Sequence, residues 1–141
     1  MFLCLVARPR WSADGDCTFD GKLGIWAFAE ESPAICNSKN CPRGTMELKN
    51  VSVTKEVFRS YVRNFVLPSI QDRWPCCCVG RNLRRETVMV QFDNCRVHMK
   101  PAEFDQIADE FEMNGLEIHS FFQPSNSPDT NVLDLGVFNT I

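Results

Sequence analysis

A strand-forming run that ends in an aspartate, followed by a helix and another strand, constrains the fold of this chain most. Residues 87–92 are rich in β-forming side chains, and Asp93 follows them directly. Residues 101–113 place apolar side chains on one helical face, and the Asn-Gly pair that follows can cap the helix. Residues 116–122 predict the next strand. Because open α/β sheets bind ligands at the carboxyl ends of their strands, this order predicts an α/β fold with Asp93 at its ligand-binding edge.

The N-terminal part of the chain predicts two further strands. Residues 2–7 form a nearly continuous apolar run, and residues 23–29 form a second apolar segment. Residues 8–21 contain Pro, Gly and Asp, which predicts a connecting turn and favours antiparallel pairing of the two strands. Residues 30–50 are rich in Ser, Asn, Pro and Lys without clear periodicity, so we expect a loop there.

A long amphipathic helix is expected after this loop. Thr54 is its expected N-cap, since a threonine hydroxyl can accept a hydrogen bond from an exposed amide of the first turn. Apolar side chains then recur at three- and four-residue steps to about Trp74. Pro68 should kink or divide the helix, because its ring clashes with the preceding turn and removes one donor. Residues 76–85 predict an irregular, basic connector.

Composition and charge narrow the class of protein. The chain has 141 residues and 44% hydrophobic content, which suffices for one domain with a core. A formal charge of −3 argues against a free-standing electrostatic DNA binder. The apolar run at the N-terminus is too short for a membrane span and lacks the features of a signal peptide, so no membrane partner is expected. Local basic groups are Arg8, Arg10, Lys39, Arg43, Arg81, Arg84 and Arg85.

The eight cysteines do not follow a metal-binding or disulfide pattern. No two of them have C-x-x-C spacing, and the sequence has two histidines, so we expect no structural zinc site. Without a signal peptide, a secreted disulfide scaffold is also disfavoured. We therefore expect the thiols to be reduced.

Two aspartates are the candidate metal ligands. Asp93 lies at the tip of a predicted strand, and Asp134 lies in the first turn of a helix that Asn131 should cap. If these elements meet, the two carboxylates could hold Mg²⁺, which prefers oxygen ligands. Each also has a purely structural interpretation, because Asp93 could hold a turn and Asp134 could favour the positive end of a helix dipole. Asp129 competes with Asp134, but its position in a Pro-containing turn favours capping.

The histidines and tryptophans have simpler interpretations. His98 is expected to be structural or to contact a substrate, and a direct role in chemistry is the weaker alternative. His119 alternates with Ile118 on a predicted strand and is expected at the surface or in the core. Trp26 and Trp74 are expected in the core rather than stacked on bases.

Several segments of the chain resemble mariner-like DDE transposases of the type known from plants and oomycetes. The run Asp-Asn-Cys-Arg-Val-His at 93–98 is similar to the family's Asp-Asn-Ala-x-x-His block, with Cys95 where the family usually has Ala. The run Val-Leu-Asp-Leu-Gly at 132–136 is similar to the block around its third catalytic Asp. The other matching segments, in the same order as in the family, are 2–10, 19–26, 44–47, 51–58 and 123–129.

This resemblance implies a fold, an activity and a set of ligands. The fold would be RNase H-like, with a mixed sheet and flanking helices. Asp93 and Asp134 would be the second and third catalytic residues and the ligands of two Mg²⁺ or Mn²⁺ ions. The activity would be metal-dependent DNA cleavage and strand transfer in the nucleus, with transposon ends as partners and assembly into a homo-oligomer.

The family's first catalytic Asp has no counterpart in this sequence. In the family it lies in a strand before the segment matching 2–10, and Asp14, Asp16 and Asp20 come after that segment. The helix-turn-helix DNA-binding region has no counterpart either. We therefore expect residues 1–141 to be a partial catalytic domain that is inactive by itself. The first strand would lie centrally, between the strands at 2–7 and 87–92, so its absence should leave open sheet edges and low stability.

Two functions from other classes remain open. The chain could be a non-catalytic module, derived from a transposon, that binds a protein or a nucleic acid. A cysteine-based metal or redox protein is the third alternative, and the cysteine spacing disfavours it.

Overall fold

The computed structural model describes residues 1–75, 86–111, 116–125, 127, 131 and 133, and it shows a mixed α/β chain. The strands are β1 (Phe2–Val6), β2 (Arg10–Trp11), β3 (Cys17–Phe19), β4 (Lys22–Ala27), β5 (Ala29–Pro33), β6 (Met46–Asn50), β7 (Glu86–Phe92) and β8 (Leu116–Phe122). The helices are α1 (Lys55–Tyr61), a π-helical segment (Val62–Val66), α2 (Leu67–Arg73) and α3 (Pro101–Asp109). The α/β class predicted from the sequence is confirmed at this level.

The first sheet is the antiparallel pair predicted for the N-terminal strands. β1 and β4 pair with Leu3 opposite Trp26 and Leu5 opposite Gly24. The Trp26 ring lies directly over Gly24. A Cβ at this position would lie 2.3 Å from that ring. The connection between these strands is more ordered than a simple turn, since β2 and β3 form a short antiparallel ladder within it.

The loop predicted for residues 30–50 is wrong at both ends, because β5 and β6 form an antiparallel hairpin there, and residues 34–45 are the connection between these strands. Its register runs from Ala29 opposite Asn50 to Pro33 opposite Met46. Hydrogen bonds from the Gly44 amide to the Ala34 carbonyl and from the Ala34 amide to the Thr45 carbonyl, both 2.9 Å, extend the pairing toward the turn. The strands carry charged and polar residues on largely exposed faces, so they lack the apolar alternation that identifies a strand in sequence.

The long helix begins where the sequence predicts, and Pro68 changes its hydrogen bonding without breaking it. Thr54 Oγ1 accepts a hydrogen bond from the Val57 amide at 3.3 Å, which confirms the N-cap. The chain stays helical to Arg73, but the Leu67 amide bonds to the Val62 carbonyl in a widened π-turn. This turn comes directly before Pro68, which lies in the first turn of α2 where its missing donor is tolerated.

The C-terminal strands form a parallel pair. β7 and β8 pair in register from Glu86 opposite Leu116 to Phe92 opposite Phe122, and α3 lies between them in sequence. The predicted helix over 101–113 is confirmed for Pro101–Asp109, whereas its expected Asn-Gly cap lies outside the described residues.

One hydrophobic core joins these elements. Phe58, Val62, Val66, Leu67 and Ile70 of the long helix are buried in the same cluster as side chains of β4, β7, α3 and β8. Within the described ranges β1 pairs only with β4 and β7 only with β8, so the described strands form separate two-stranded sheets. An RNase H-like sheet therefore remains a prediction. None of the helices in the described ranges is long and apolar enough to cross a membrane.

Candidate functional site at the end of β7

Asp93 lies at the carboxyl end of a parallel strand pair, as the sequence predicts. The Gln123 amide donates to the Phe92 carbonyl at 2.7 Å, and Asn94 Nδ2 donates to the Gln123 carbonyl at 2.7 Å. These bonds continue the pairing of β7 and β8 beyond their last residues. They join the chain that follows β7 to the chain that follows β8 at the edge where Asp93 lies.

The Asp93 carboxylate holds the turn that follows the strand. Its Oδ1 accepts the Cys95 amide at 3.0 Å and lies 2.7 Å from His98 Nδ1. The side chain is nevertheless 50% exposed, so a carboxylate oxygen can face solvent. Asp93 thus stabilises the turn, as the structural interpretation expects. Its exposed carboxylate could also bind a ligand.

His98 is held in place by aromatic side chains. Its ring stacks on Phe58 of α1, with 4.3 Å between ring centroids, and lies 6.0 Å from the ring of Phe92. The His98 side chain is only 18% exposed, and its Nδ1 faces Asp93. His98 is therefore a packed residue with one nitrogen directed at the candidate site, which agrees with the structural role expected for it.

Cys95 completes a cluster of three different donor types. The ligand atoms of Asp93, Cys95 and His98 all lie within 4.8 Å of one another. Cysteine-pair spacing does not reveal this group, because the cluster contains one cysteine. The pattern Asp-x-Cys-x-x-His at 93–98 could have indicated it, since all three residues belong to a single turn.

Asp134 and its competitor Asp129 lie outside the described residues. Asn131 Oδ1 accepts the Leu133 amide at 3.2 Å, which is the hydrogen bond expected of an N-cap at this position. The approach of Asp134 to Asp93 stays a prediction.

A second polar cluster has a structural role. Asp105 Oδ1 of α3 accepts both the amide of Ser120, at 2.9 Å, and its hydroxyl, at 3.2 Å, which ties the helix to β8. His119 Nδ1 lies 3.4 Å from Asp105 Oδ2, and its Nε2 lies 3.2 Å from Glu117 Oε1. The hydrogen bond to Glu117, followed by that to Asp105, raises the pKa of His119 above its usual 6.5. With its side chain 42% exposed, His119 lies at the surface, which is one of the two positions expected for it.

Arg10, one of the basic residues noted in the sequence, contacts other parts of the protein. Arg10 forms an ion pair with Glu86 at 2.9 Å and donates to the Pro75 carbonyl at 3.0 Å. Its guanidinium also lies 5.2 Å from the centroid of the Trp74 ring. Arg81, Arg84 and Arg85 lie outside the described residues. Arg10 is therefore a structural residue, and a DNA-binding surface stays untested.

Comparison of the sequence with protein-family models gives no match, and comparisons with curated proteins and with solved structures give no significant match. The transposase hypothesis therefore depends on the sequence segments quoted above and on the position of Asp93.

Proposed function

We propose that this chain derives from the catalytic domain of a DDE transposase, with metal-dependent cleavage and transfer of DNA strands as the ancestral activity. The observation that carries the proposal is the half-exposed carboxylate of Asp93 at the carboxyl end of β7, inside the Asp-Asn-Cys-Arg-Val-His run. Ligand sites of open α/β sheets occupy this edge. Asp134, in the second resembling run, is the proposed partner carboxylate.

The residues around Asp93 suit an oxygen-donor metal site. His98 Nδ1 and the Cys95 amide both contact Oδ1, so they fix the orientation of the carboxylate. Mg²⁺ ions held at this edge would supply Lewis-acid activation of the attacking and leaving oxygens of a phosphodiester. Asp93 and Asp134 would hold these ions, and a third carboxylate would be needed to hold both against the substrate.

Asp93 and Asp134 are two of the three expected carboxylates, so residues 1–141 by themselves should bind metal weakly and cleave no DNA. Mg²⁺ keeps several waters and takes few protein oxygens, which places the expected affinity on the order of millimolar, with Mn²⁺ somewhat tighter.

Mn²⁺-dependent water relaxation and nicking of supercoiled plasmid DNA test this proposal together. Mn²⁺ binding should fall in the double variant Asp93→Asn with Asp134→Asn and stay unchanged in Asp109→Asn, which alters an exposed carboxylate of α3. Equal binding by wild type and the double variant would overturn the metal site. Robust nicking that Asp93→Ala abolishes would show that another acid supplies the third ligand.

A non-catalytic binding module is the second candidate, and exposed apolar side chains favour it. Leu48 and Met46 on β6 are 75% and 57% exposed, and Trp11 on β2 is 65% exposed. Sedimentation of wild type and Leu48→Glu over a range of concentrations tests this candidate. Self-association that Leu48→Glu abolishes would support it, and a monomer at all concentrations would remove self-assembly as its basis.

A further inference from the structure

We propose that Asp93, Cys95 and His98 form a binding site for Zn²⁺. The three ligand atoms lie within 4.8 Å of one another, and all three side chains belong to the turn that follows β7. The site does not depend on the proposed transposase function, since it needs neither Asp134 nor a third carboxylate.

The chemistry of the donor set selects the metal. A carboxylate oxygen, a thiolate sulfur and an imidazole nitrogen are all ligands of Zn²⁺, at about 2.0–2.2, 2.3 and 2.0–2.1 Å. Mg²⁺ takes oxygen ligands and would leave Cys95 unused. Three protein ligands leave a fourth tetrahedral position for water, as in zinc sites that are open to solvent. The expected ion is therefore zinc or another thiophilic divalent cation.

The present contacts require a small change to admit the ion. His98 Nδ1 and Asp93 Oδ1 are 2.7 Å apart. Two ligand atoms bound tetrahedrally at about 2 Å lie roughly 3.3 Å from each other, so the pair must open by about 0.6 Å. Zn²⁺ would bind His98 through Nδ1 as neutral imidazole with its ring proton on Nε2, so any proton on Nδ1 would leave to solvent or move to Nε2. Cys95 would lose its thiol proton to solvent.

Packing already fixes the least mobile of the three ligands. The His98 ring is stacked on Phe58 with 4.3 Å between centroids, and its Nδ1 is directed at Asp93. Asp93 and Cys95 are exposed, so an ion from solvent can reach them. Because the imidazole is oriented before binding, little ordering of that side chain is needed when the ion arrives.

Occupation by zinc would have a consequence for the proposed magnesium site. Asp93 belongs to both sites, so an ion held by Cys95 and His98 would compete with Mg²⁺ for that carboxylate. The thiolate of Cys95 would thus favour Zn²⁺ over Mg²⁺ at this position.

Titration of Zn²⁺ against a chromophoric chelator, with Co²⁺ absorption spectra as a second readout, tests the proposal. Cys76, Cys77 and Cys78 are replaced by serine in one background, so that their thiols cannot supply the signal. Wild type and this background should each bind one Zn²⁺ at the cluster, and Co²⁺ should give a thiolate charge-transfer band. Cys95→Ser, His98→Gln and Asp93→Asn should each weaken binding by at least about tenfold.

The controls separate this site from other thiols and from the proposed magnesium site. Cys36→Ser removes an exposed thiol elsewhere and should leave binding unchanged. Asp134→Asn should also leave zinc binding unchanged, although it should reduce Mn²⁺ binding if the transposase proposal holds. Unchanged zinc affinity in Cys95→Ser, a Co²⁺ spectrum without the thiolate band, or loss of zinc binding in Asp134→Asn would overturn the assignment. Circular dichroism of each variant verifies that Cys95→Ser, at an exposed position, remains folded.

Discussion

At the scale of single residues, His119 links protonation to stability most directly. Its two ring nitrogens face Glu117 at 3.2 Å and Asp105 at 3.4 Å. The hydrogen bond to Glu117 is the largest cause of its raised pKa. A histidine whose pKa is higher in the folded state stabilises the fold fully at pH values below its unfolded pKa, about 6.5. The stabilisation is lost as pH rises through the folded pKa.

His119→Gln should therefore lower the melting temperature at about pH 5 and have less effect at about pH 9, where the wild-type ring is neutral. The effect should be small because the ring lies at the surface. Thermal unfolding at the two pH values measures it. Glu117→Gln is the matched control, since it removes the largest cause of the shift and should lower the pKa of His119 in an NMR titration. Equal losses of melting temperature at both pH values would contradict the prediction.

The sequence predicts single residues where a local rule determines them. Thr54 precedes a periodic apolar run, and Asp93 follows a β-forming run, so the positions of both could be inferred from neighbours in sequence. The spacing of Cys95 and His98 in one turn brings these residues near each other, but the orientation of the His98 ring could not be inferred, because it depends on a contact with Phe58 of α1. Such a contact follows from tertiary packing, which sequence periodicity does not specify.

At the scale of elements, a side-chain hydrogen bond connects α2 to β4. Ser69 Oγ donates to the Leu23 carbonyl at 2.6 Å, and Leu67 and Ile70, on either side of Ser69 in sequence, are fully buried. Ser69→Ala should lower the free energy of unfolding by about 1 kcal/mol, since it leaves a partly buried carbonyl without this donor. Urea unfolding measures the change as a lower midpoint at an unchanged slope.

Ser60→Ala is the control for this prediction. Ser60 Oγ accepts a hydrogen bond from Asn64 at 3.1 Å on the exposed side of the helix, so its loss should change stability by less than about 0.5 kcal/mol. Equal midpoints for Ser69→Ala and Ser60→Ala would mean that the contact between α2 and β4 contributes nothing measurable.

Elements were predictable where hydrophobic periodicity was strong. The amphipathic helix and the strands β1, β4, β7 and β8 have this pattern, whereas β5 and β6 do not. In β5 and β6, register places charged residues such as Glu30 and Lys49 opposite each other on a solvated hairpin. The pairing of β5 with β6 depends on the turn and on cross-strand partners, which local composition does not show. The polar composition of these residues therefore favoured a loop in the sequence-based prediction.

At the scale of the whole molecule, the alternation of helices and strands was sufficient to predict the α/β class. It was insufficient to predict how the strands assemble, because a sheet order depends on which edges meet. The described strands form separate pairs, and the helix Lys55–Tyr61 with its continuation contributes the side chains that join them. Packing around this helix, rather than a continuous hydrogen-bonded sheet, therefore connects the N-terminal sheet to the parallel pair.

Phe58 is the side chain on which this connection most depends. It is 1% exposed, lies 5.8 Å from the Phe92 ring of β7 and stacks on His98. Phe58→Ala should cost about 3–5 kcal/mol, a large share of the roughly 5–15 kcal/mol that stabilises a typical domain. Chemical unfolding of wild type and variant measures this loss.

Phe65→Ala is the matched control. Phe65 lies on the same helix but is 39% exposed, so its replacement should lower the free energy of unfolding by less.

The milder Phe58→Leu variant keeps an apolar side chain in the core, so the fold should persist while the aromatic support of His98 is lost. If the core and the site are coupled through this contact, Phe58→Leu should weaken Zn²⁺ binding, whereas Phe65→Leu should not. Equal zinc affinities in these two variants would show that His98 is held by the turn alone. The packing of Phe58 between the two sheets would then stabilise the fold without affecting the geometry of the site.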